Sequence, residues 1–525
     1  MNWLKKNKLL ILLVVAFLFL NNLPYIIGAY KSIQNPELIY NGSTIQNQGD
    51  FFVYLSMIEM GKQDHLIMKN LYNHESQVPI FLSPQWYPIG QFSKWTGIDT
   101  IISYHIFRIF FIFIFVAVVW WWLKKIFNSY HKRILALTAV LFANGVGTFF
   151  INIFPNSDLV PTNFWMPESI TFLSMAQYPV AIFSPAFILL IFGLFIRACE
   201  EKSRPSLWYA SLLSLFLALV HPYDAFTIAT ILSTWTIIQL FQHKKYIKEL
   251  FWIYISLGLI ALHYFLVFYL DQAAAELYKQ NVVNSRNILE YVFGLGLASI
   301  GSIAGAILVF KKSYYKNSYI LLIAIWAVLG WVLVYLPVDF NRRLANGWHI
   351  PLVISTVIFI FWLYKKSRPM WQGVLIAACV FLLFFETLVY IGTASVRIDQ
   401  NHEDKFFYTK ETKQTYEYIK EKVAPDRVVL TRGIDGNILP SFTGRTVYVG
   451  HAIQTWRANE KNEEVAQKWT SQKDISNWLR ENKISYIYAS KLYIPEFEYI
   501  KWLAQEPYIE PLIDNDEFIF YEVRR

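Results

Sequence analysis

A helix of about 20 apolar residues is long enough to cross a bilayer, and this chain supplies such runs repeatedly. They lie near 7–28, 101–123, 134–151, 179–197, 250–270, 289–310, 318–336 and 372–392, with shorter ones near 207–220, 224–240 and 350–364. That pattern predicts a polytopic α-helical membrane protein with about eleven transmembrane helices. Composition agrees, since only 16% of the 525 residues are charged, against about a quarter in soluble domains.

Positive charge is retained on the cytoplasmic side of short connections, which fixes an orientation. Alternate connections carry Lys5, Lys6 and Lys8; Lys124, Lys125, Lys132 and Arg133; Arg197, Lys202 and Arg204; Lys244, Lys245 and Lys248; Lys311, Lys312 and Lys316; and Lys365, Lys366 and Arg368. Residues 152–178 and 221–223, on the other side, have none, and the stretch 29–100 has only Lys31, Lys62, Lys69 and Lys94. The N-terminus is therefore expected inside and the C-terminus outside. The net charge of +9 is largely accounted for by these cytoplasmic turns, so it gives no reason to invoke nucleic acid. The first apolar run is long and is followed by no small-x-small cleavage site, so it reads as a retained anchor. Cys199 and Cys379 lie at the end of one span and inside another, which speaks against a structural disulfide or a cysteine metal cluster.

Two regions interrupt the apolar pattern. In the first outer loop, residues 29–100, Phe52, Leu55, Ile58 and Glu59 have helical spacing, a second amphipathic stretch surrounds Trp86, Tyr87, Phe92 and Trp95, and Pro79, Pro84 and Pro88 divide the loop. Short aromatic-rich helices of this kind are expected to rest on the outer leaflet. Beyond about residue 393 the composition becomes that of a soluble domain. Helix is expected over Lys410 to Val423 and near 460–470 and 474–482. Strand is expected at Arg427–Leu430, Gly444–Gly450, Ile484–Tyr488 and around Phe518–Tyr521. The layout is thus a membrane domain, 1–392, followed by an extracytoplasmic α/β domain, 393–525. No GxGxxG loop supports nucleotide binding there.

Ionisable groups close to a membrane are costly and so draw attention as functional candidates. On the outer side, Asp50 follows Gly49 at the entry to the first loop helix. It reads either as a helix N-cap or as a general base or metal ligand. Glu168 follows Pro167, where a helix start explains an acid as well as catalysis does. His221 and Asp224 flank a tight Pro-Tyr turn. With Glu168 they form an acidic set suited to a metal or an acceptor, while ordinary turn chemistry explains them equally well. Arg342 and Arg343 are the basic exception on a base-poor side. With His349 they suit a lipid phosphate, the plain alternative being headgroup contact or pairing with Asp339. In the outer domain Arg445, His451 and Trp456 form a weaker candidate contact for an acceptor, and Gly444 and Gly450 bracketing a strand explain the same stretch structurally.

An Asp in a large first outer loop, many spans and an outer C-terminal α/β domain together resemble the glycosyltransferase C superfamily, most specifically at Gly49-Asp50. Pro167-Glu168-Ser169, His221-Pro222-Tyr223, Arg342-Arg343 and Gly450-His451 look like motifs of uncharacterised bacterial members. The resemblance implies an inverting transferase that takes a sugar from a polyprenyl-phosphate carrier and passes it to an envelope acceptor, a glycan, lipid or protein, at the outer face of the cell membrane. Asp50 would be the catalytic carboxylate and the arginines would neutralise the departing lipid phosphate. Members of the protein mannosyltransferase branch pair the Asp with a Glu where this chain has Phe51, which leaves dependence on a divalent cation open. Two other classes fit a polytopic chain: a transporter or lipid flippase, for which Arg108, His263 and Glu386 within or beside apolar runs speak, and a non-catalytic component of envelope-glycan assembly.

Overall fold

The computed structural model describes residues 7–43, 45–78, 83–242, 245–400, 406–471, 474–491 and 500–524; Lys5, Lys6, Pro79 and Lys244 lie outside the described residues. By its contacts the chain divides into two compact units. One is made of Met1–Ile27, Ile106–Tyr264 and Val282–Gln400, the other of Gly28–His105, Phe265–Asn281 and Asn401–Arg525.

Apolar helices dominate the first unit. Among the described residues of the whole chain, seven helices are long and apolar enough to cross a membrane: Lys8–Gln34, Thr100–Ile126, Pro179–Glu200, Asp224–Phe241, Ile247–Leu270, His349–Lys366 and Pro369–Gln400. The number rises to nine if two bent pairs each count as one span. Arg204–Val220 and Ser318–Leu333 are shorter apolar helices. The apolar run expected over 318–336 thus stops at Leu333, and a helix of 16 residues is only about 24 Å long. Pro337 lies just beyond, and the residue before a proline is biased away from helix.

The two breaks have identifiable causes. Tyr130–Phe142 and Gly147–Ile153 meet at 50°, and the backbone groups freed between them are satisfied by Pro369–Gln400. Asn144 N–H donates to the Leu383 carbonyl at 2.9 Å, and the Thr387 hydroxyl donates to the Phe142 carbonyl at 2.8 Å. Glu386 accepts from the Thr148 N–H at 3.1 Å, the Thr148 hydroxyl at 2.8 Å and the Asn163 amide at 3.0 Å, placing a carboxylate at the start of the second half-helix, where the dipole favours it. The second pair, Ile288–Leu295 and Leu297–Lys311, turns through 91° at Gly296, whose φ of 55° and ψ of −131° a side chain would oppose. Non-helical backbone at membrane depth is tolerated only where protein satisfies it.

Arg108 is fully buried and is likewise matched by neutral dipoles. It donates to Asn21 Oδ1 at 3.2 Å, to the Met175 carbonyl at 2.7 Å and to Asn22, and its guanidinium lies 4.7 Å from the Tyr25 ring centre.

In the second unit, the helix Gln48–Lys62 buries nine of its fifteen residues, packing on Trp86–Thr96 and on Gly433–Thr443. It is a core element of its unit more than a surface amphipath. Strand β1 (Leu38–Tyr40) pairs antiparallel with β2 (Phe407–Thr409). The remaining strands, β3 (Val428–Leu430), β4 (Thr446–Val447), β5 (Ile484–Ser490), β6 (Ile509–Asp514) and β7 (Phe518–Val523), form one sheet in the order β4-β3-β5-β7-β6. Its β4-β3-β5 part is parallel and its β5-β7-β6 part antiparallel. Leu430, Val449, Val465, Leu479, Ile487 and Ile519 are fully buried in its core. The helices Lys410–Lys422, Ala458–Ser471 and Ile475–Glu481 fall where the sequence predicts them. Gly433–Thr443 has no such signal, because Gly433, Gly436 and Pro440 all oppose helix; its packing on Gln48–Lys62 stabilises it instead.

Replacing Glu386 by Ala leaves the Thr148 N–H and the Asn163 amide buried without this acceptor, a loss of about 1–3 kcal/mol. The expected outcome is a lower thermal midpoint in detergent for Glu386→Ala than for Glu386→Gln; equal midpoints would show that the carboxylate does not hold the break.

Candidate active site

Asp50 is the third residue of its helix. Asn47 holds the N-cap position, in the left-handed region at φ 53° and without a side-chain cap hydrogen bond, so Asp50 is not the N-cap that the sequence allows. The Asp50 carboxylate stays in the first turn, where the helix dipole favours negative charge. Its Oδ1 lies 3.3 Å from Nε2 of His451; the Asp50 side chain is 38% exposed and that of His451 only 12%.

The backbone sets the state of this imidazole. The N–H groups of Ile453 and Gln454 both donate to His451 Nδ1, at 3.2 and 3.3 Å. Nδ1 is therefore an acceptor, and the ring proton sits on Nε2, the nitrogen that faces Asp50 Oδ1. The local turn is held by the Thr455 N–H on the His451 carbonyl at 2.8 Å and by the Gly450 N–H on the Thr455 hydroxyl at 3.1 Å. Tyr72 packs edge-on against the imidazole with ring centres 6.2 Å apart. A side chain at position 49 would press on the ring, because a Cβ there would lie 3.2 Å from His451 Cδ2 and 3.3 Å from Asn437 Nδ2. The glycine of Gly49-Asp50 thus makes room for the histidine of Gly450-His451, two motifs four hundred residues apart that sequence treats separately.

The other two outer-domain candidates do different things. Arg445 is buried and donates from Nε to the Val423 carbonyl at 2.6 Å and from its terminal nitrogen to the Lys420 carbonyl. It closes the C-terminal end of Lys410–Lys422, where free carbonyls attract cations. Trp456 is half-buried beneath the guanidinium of Arg457, 5.7 Å from its ring centre.

In the first unit, the short helices Pro167–Ser169 and Asn341–Ala345 present Glu168, Arg342 and Arg343. Arg342 Nε lies 3.7 Å from Glu168 Oε1, a loose ion pair without an aligned hydrogen bond. The guanidinium also sits 5.2 Å from the ring centre of Trp165, which Arg286 approaches to 4.7 Å. Arg343 lies 4.9 Å from the Tyr223 ring centre. Asp224 is buried, accepting from Ser184 and from Asn346 Nδ2 at 3.1 Å. His221 Nδ1 approaches Asp224 Oδ1 to 3.0 Å as a charge contact not aligned for hydrogen bonding. His349 Nδ1 accepts from the Thr171 N–H at 3.3 Å and meets the Thr171 hydroxyl at 2.8 Å. Glu168 and His349 border the same narrow cleft. The predicted acidic set therefore resolves into two pairs, Glu168 with Arg342 and His221 with Asp224. Trp165, Ser184, Arg286 and Asn346 join them without a sequence signal beyond the aromatic and polar character of these outer turns. Among the described residues no three His, Cys, Asp or Glu side chains gather to hold a metal ion, so no chemical step is assigned to a divalent cation.

A second buried cluster ties the first loop to the α/β sheet within the second unit. Lys461 Nζ meets Glu75 Oε1 at 2.5 Å and His74 Nδ1 at 3.2 Å. The His74 ring packs 4.7 Å from that of Tyr448, whose hydroxyl donates to Glu464 at 2.9 Å. Burial, helped by the Lys461 ammonium, pulls the His74 imidazole down to about 4, and burial also lowers Lys461 itself.

Helices, breaks and sheet together define a polytopic helical membrane protein that carries an α/β portion. No family model and no curated protein matches the sequence. Among solved structures, 98% of the chain matches 98% of ArnT from Cupriavidus metallidurans in the apo state, at 10% identity and a TM-score of 0.54. The same coverage, with 9% identity and a TM-score of 0.54, holds for that protein bound to undecaprenyl phosphate. Arabinofuranosyltransferase AftD from Mycobacteria matches over 99% of this chain and 40% of its own length, at 10% identity and a TM-score of 0.51. At such identities the likeness establishes the fold.

His74 gives the protein a pH signature. Its folded value lies below the ordinary histidine value of about 6.5, so its contribution to stability is whole above pH 6.5. That contribution is lost as pH falls towards about 4, because over this window only the unfolded chain takes up the proton. Thermal midpoints measured between pH 7.5 and 5 should fall more steeply for the wild type than for His74→Gln; parallel curves would exclude His74 as the titrating group.

Proposed function

We propose that the protein is an inverting glycosyltransferase, moving a sugar from a polyprenyl-phosphate-linked donor to an extracytoplasmic acceptor in the cell envelope, a glycan, lipid or protein. The observation that carries this reading is the Asp50–His451 pair: a half-exposed carboxylate at a helix start, oriented by a histidine whose tautomer the backbone fixes. The fold it shares with ArnT and with the arabinofuranosyltransferase AftD supports the reaction class.

In this reading His451 occupies Oδ1, and Oδ2 is the oxygen that receives the acceptor's proton. As the acceptor O–H bond breaks, its oxygen forms a bond to the anomeric carbon, and the bond from that carbon to the phosphate oxygen breaks with its electron pair leaving on the lipid phosphate. Attack opposite the leaving group inverts the anomeric configuration. Arg342 and Arg343 are assigned to the lipid phosphate, whose charge grows in the transition state, and His221 and Asp224 to placing the acceptor or the turn that meets it. The proposed topology has the N-terminus inside, with the loop 29–100 and the domain 393–525 outside the cytoplasm.

A transporter or flippase would draw on ionisable groups free to change state within the membrane. Arg108 and Glu386 are instead bound to fixed neutral dipoles, and no observation favours that reading or the non-catalytic one.

With the protein in nanodiscs and polyprenyl-phosphate sugars as donors, Asp50→Asn should reduce transfer by about 10²–10⁴-fold, the range of general-base catalysis, while leaving the thermal midpoint unchanged. His451→Ala should lower kcat less than Asp50→Asn does, and Arg342→Ala should raise the KM for the donor. Wild-type turnover in Asp50→Asn would remove Asp50 from the mechanism.

A further inference from the structure

The turn after Gly450 is held from outside by two side chains that the proposed reaction does not use. Gln280, the last residue of the helix Gln272–Gln280, makes three hydrogen bonds to it. Its Nε2 donates to the Ile453 carbonyl at 3.3 Å and to the Thr455 carbonyl at 2.8 Å, and its Oε1 accepts from the Arg457 N–H at 3.2 Å. Asn70, in the first loop, donates from Nδ2 to the Gln454 carbonyl at 2.7 Å.

A trans peptide unit is planar and points its C=O and N–H in opposite directions, so a bond to the carbonyl aims the N–H. The Ile453 carbonyl and the Gln454 N–H belong to one such unit. That N–H is shared between His451 Nδ1 at 3.3 Å and the His451 carbonyl at 3.1 Å. The Gln454 carbonyl and the Thr455 N–H belong to the next unit, and the Thr455 N–H donates to the His451 carbonyl at 2.8 Å. Two consecutive peptide planes thus face His451 on one side and are held on the other, one by Gln280 and one by Asn70.

Both side chains are themselves fixed. Gln77 accepts from the Asn70 N–H and donates to the Asn70 carbonyl, each at 2.9 Å, and Asn70 Oδ1 accepts from the Tyr72 N–H at 3.0 Å. At the start of the Gln280 helix, buried Asp271 accepts from the Ala274 N–H and from the Val78 N–H, each at 3.0 Å. Arg457 lies in the left-handed region at φ 54°, a conformation that a residue with a side chain keeps only where its surroundings hold it. Gln280 is exposed, so its bonds add little to the core; what they fix is the direction of the turn's N–H groups.

We propose that Gln280 and Asn70 are positioning residues for the Asp50–His451 pair. Gln280 keeps the Gln454 N–H on Nδ1, Asn70 keeps the Thr455 N–H on the His451 carbonyl, and the ring proton stays on Nε2, facing Asp50. The effect on turnover rests on the glycosyltransferase reading, whereas the effect on the ring does not.

The test is NMR of the full-length protein in nanodiscs with nitrogen-15-labelled histidine at pH 8, the His451 signals being those that His451→Gln removes. In wild type the ring proton is expected on Nε2. Gln280→Glu keeps the acceptor for Arg457 and loses both donors; Asn70→Asp keeps the acceptor for Tyr72 and loses its donor. Gln280→Glu should lower the ratio of the Nε2–H to the Nδ1–H form by at least about three-fold, within the range that one hydrogen bond supplies, and Asn70→Asp should lower it less. In transfer assays kcat should fall by a similar factor with the donor KM unchanged. A merely structural role would lower the thermal midpoint and leave the wild-type tautomer. Gln280→Met, neutral and of similar length, serves if Gln280→Glu does not fold. A wild-type ring protonated on Nδ1, or a wild-type ratio in the Gln280 variants, overturns the proposal, and a wild-type ratio in Asn70→Asp removes Asn70 from it. If the tautomer shifts but wild type transfers no sugar, the catalytic reading fails and the positioning stands. If transfer depends on Asp50 while the Gln280 variants keep the wild-type tautomer, the positioning fails and the catalytic reading stands.

Discussion

Hydrocarbon offers a polar group no hydrogen bond, and the first unit is organised around that fact. Where a helix breaks, the freed groups must find partners in other segments. Leu383, Glu386 and Thr387 therefore serve the break before Gly147. The same demand explains Arg108, held by two asparagines and a carbonyl, and Asp224, held by Ser184 and Asn346. Buried charges of this kind persist because each is hydrogen-bonded, and removing one partner strands the other. They hold the bent spans in place and so fix the turns that carry Glu168, Arg342 and His349.

The second unit solves a different problem. Its candidate carboxylate, Asp50, is half-exposed, and a neutral imidazole, not a buried cation, faces one of its oxygens. Two backbone N–H groups keep the imidazole in that state, so the control is exercised by the turn after Gly450 and not by another charge. His349 is governed in the same way by the Thr171 N–H. In both cases a main-chain donor selects the tautomer, and the tautomer selects what the ring can bind.

Much of this was legible in the residues. Apolar runs marked most of the spans, and the alternation of strand and helix beyond residue 406 appears in the sheet β4-β3-β5-β7-β6. Asp50 stood out through its position after Gly49. The chain gave no sign that Asn47 rather than Asp50 holds the N-cap position, because both residues favour it and backbone conformation decides between them. Arg445 and His451, six residues apart, looked like one polar cluster. One turned to a helix end and the other to Asp50, since side chains that close in sequence can face different elements. Helix Gly433–Thr443 was invisible because its glycines and proline disfavour what its packing imposes.

The sequence by itself determined that the chain is a multi-span helical membrane protein with an α/β portion and a conspicuous carboxylate in its first long loop. Hydrophobic length and strand periodicity are local properties, written residue by residue. Only the tertiary structure decided which groups meet: His451 with Asp50, Glu168 with Arg342, His221 with Asp224, and His349 with Thr171. Those pairings join residues tens to hundreds of positions apart, or set the facing of neighbours across a turn, and they depend on directions of side chains that no local pattern encodes.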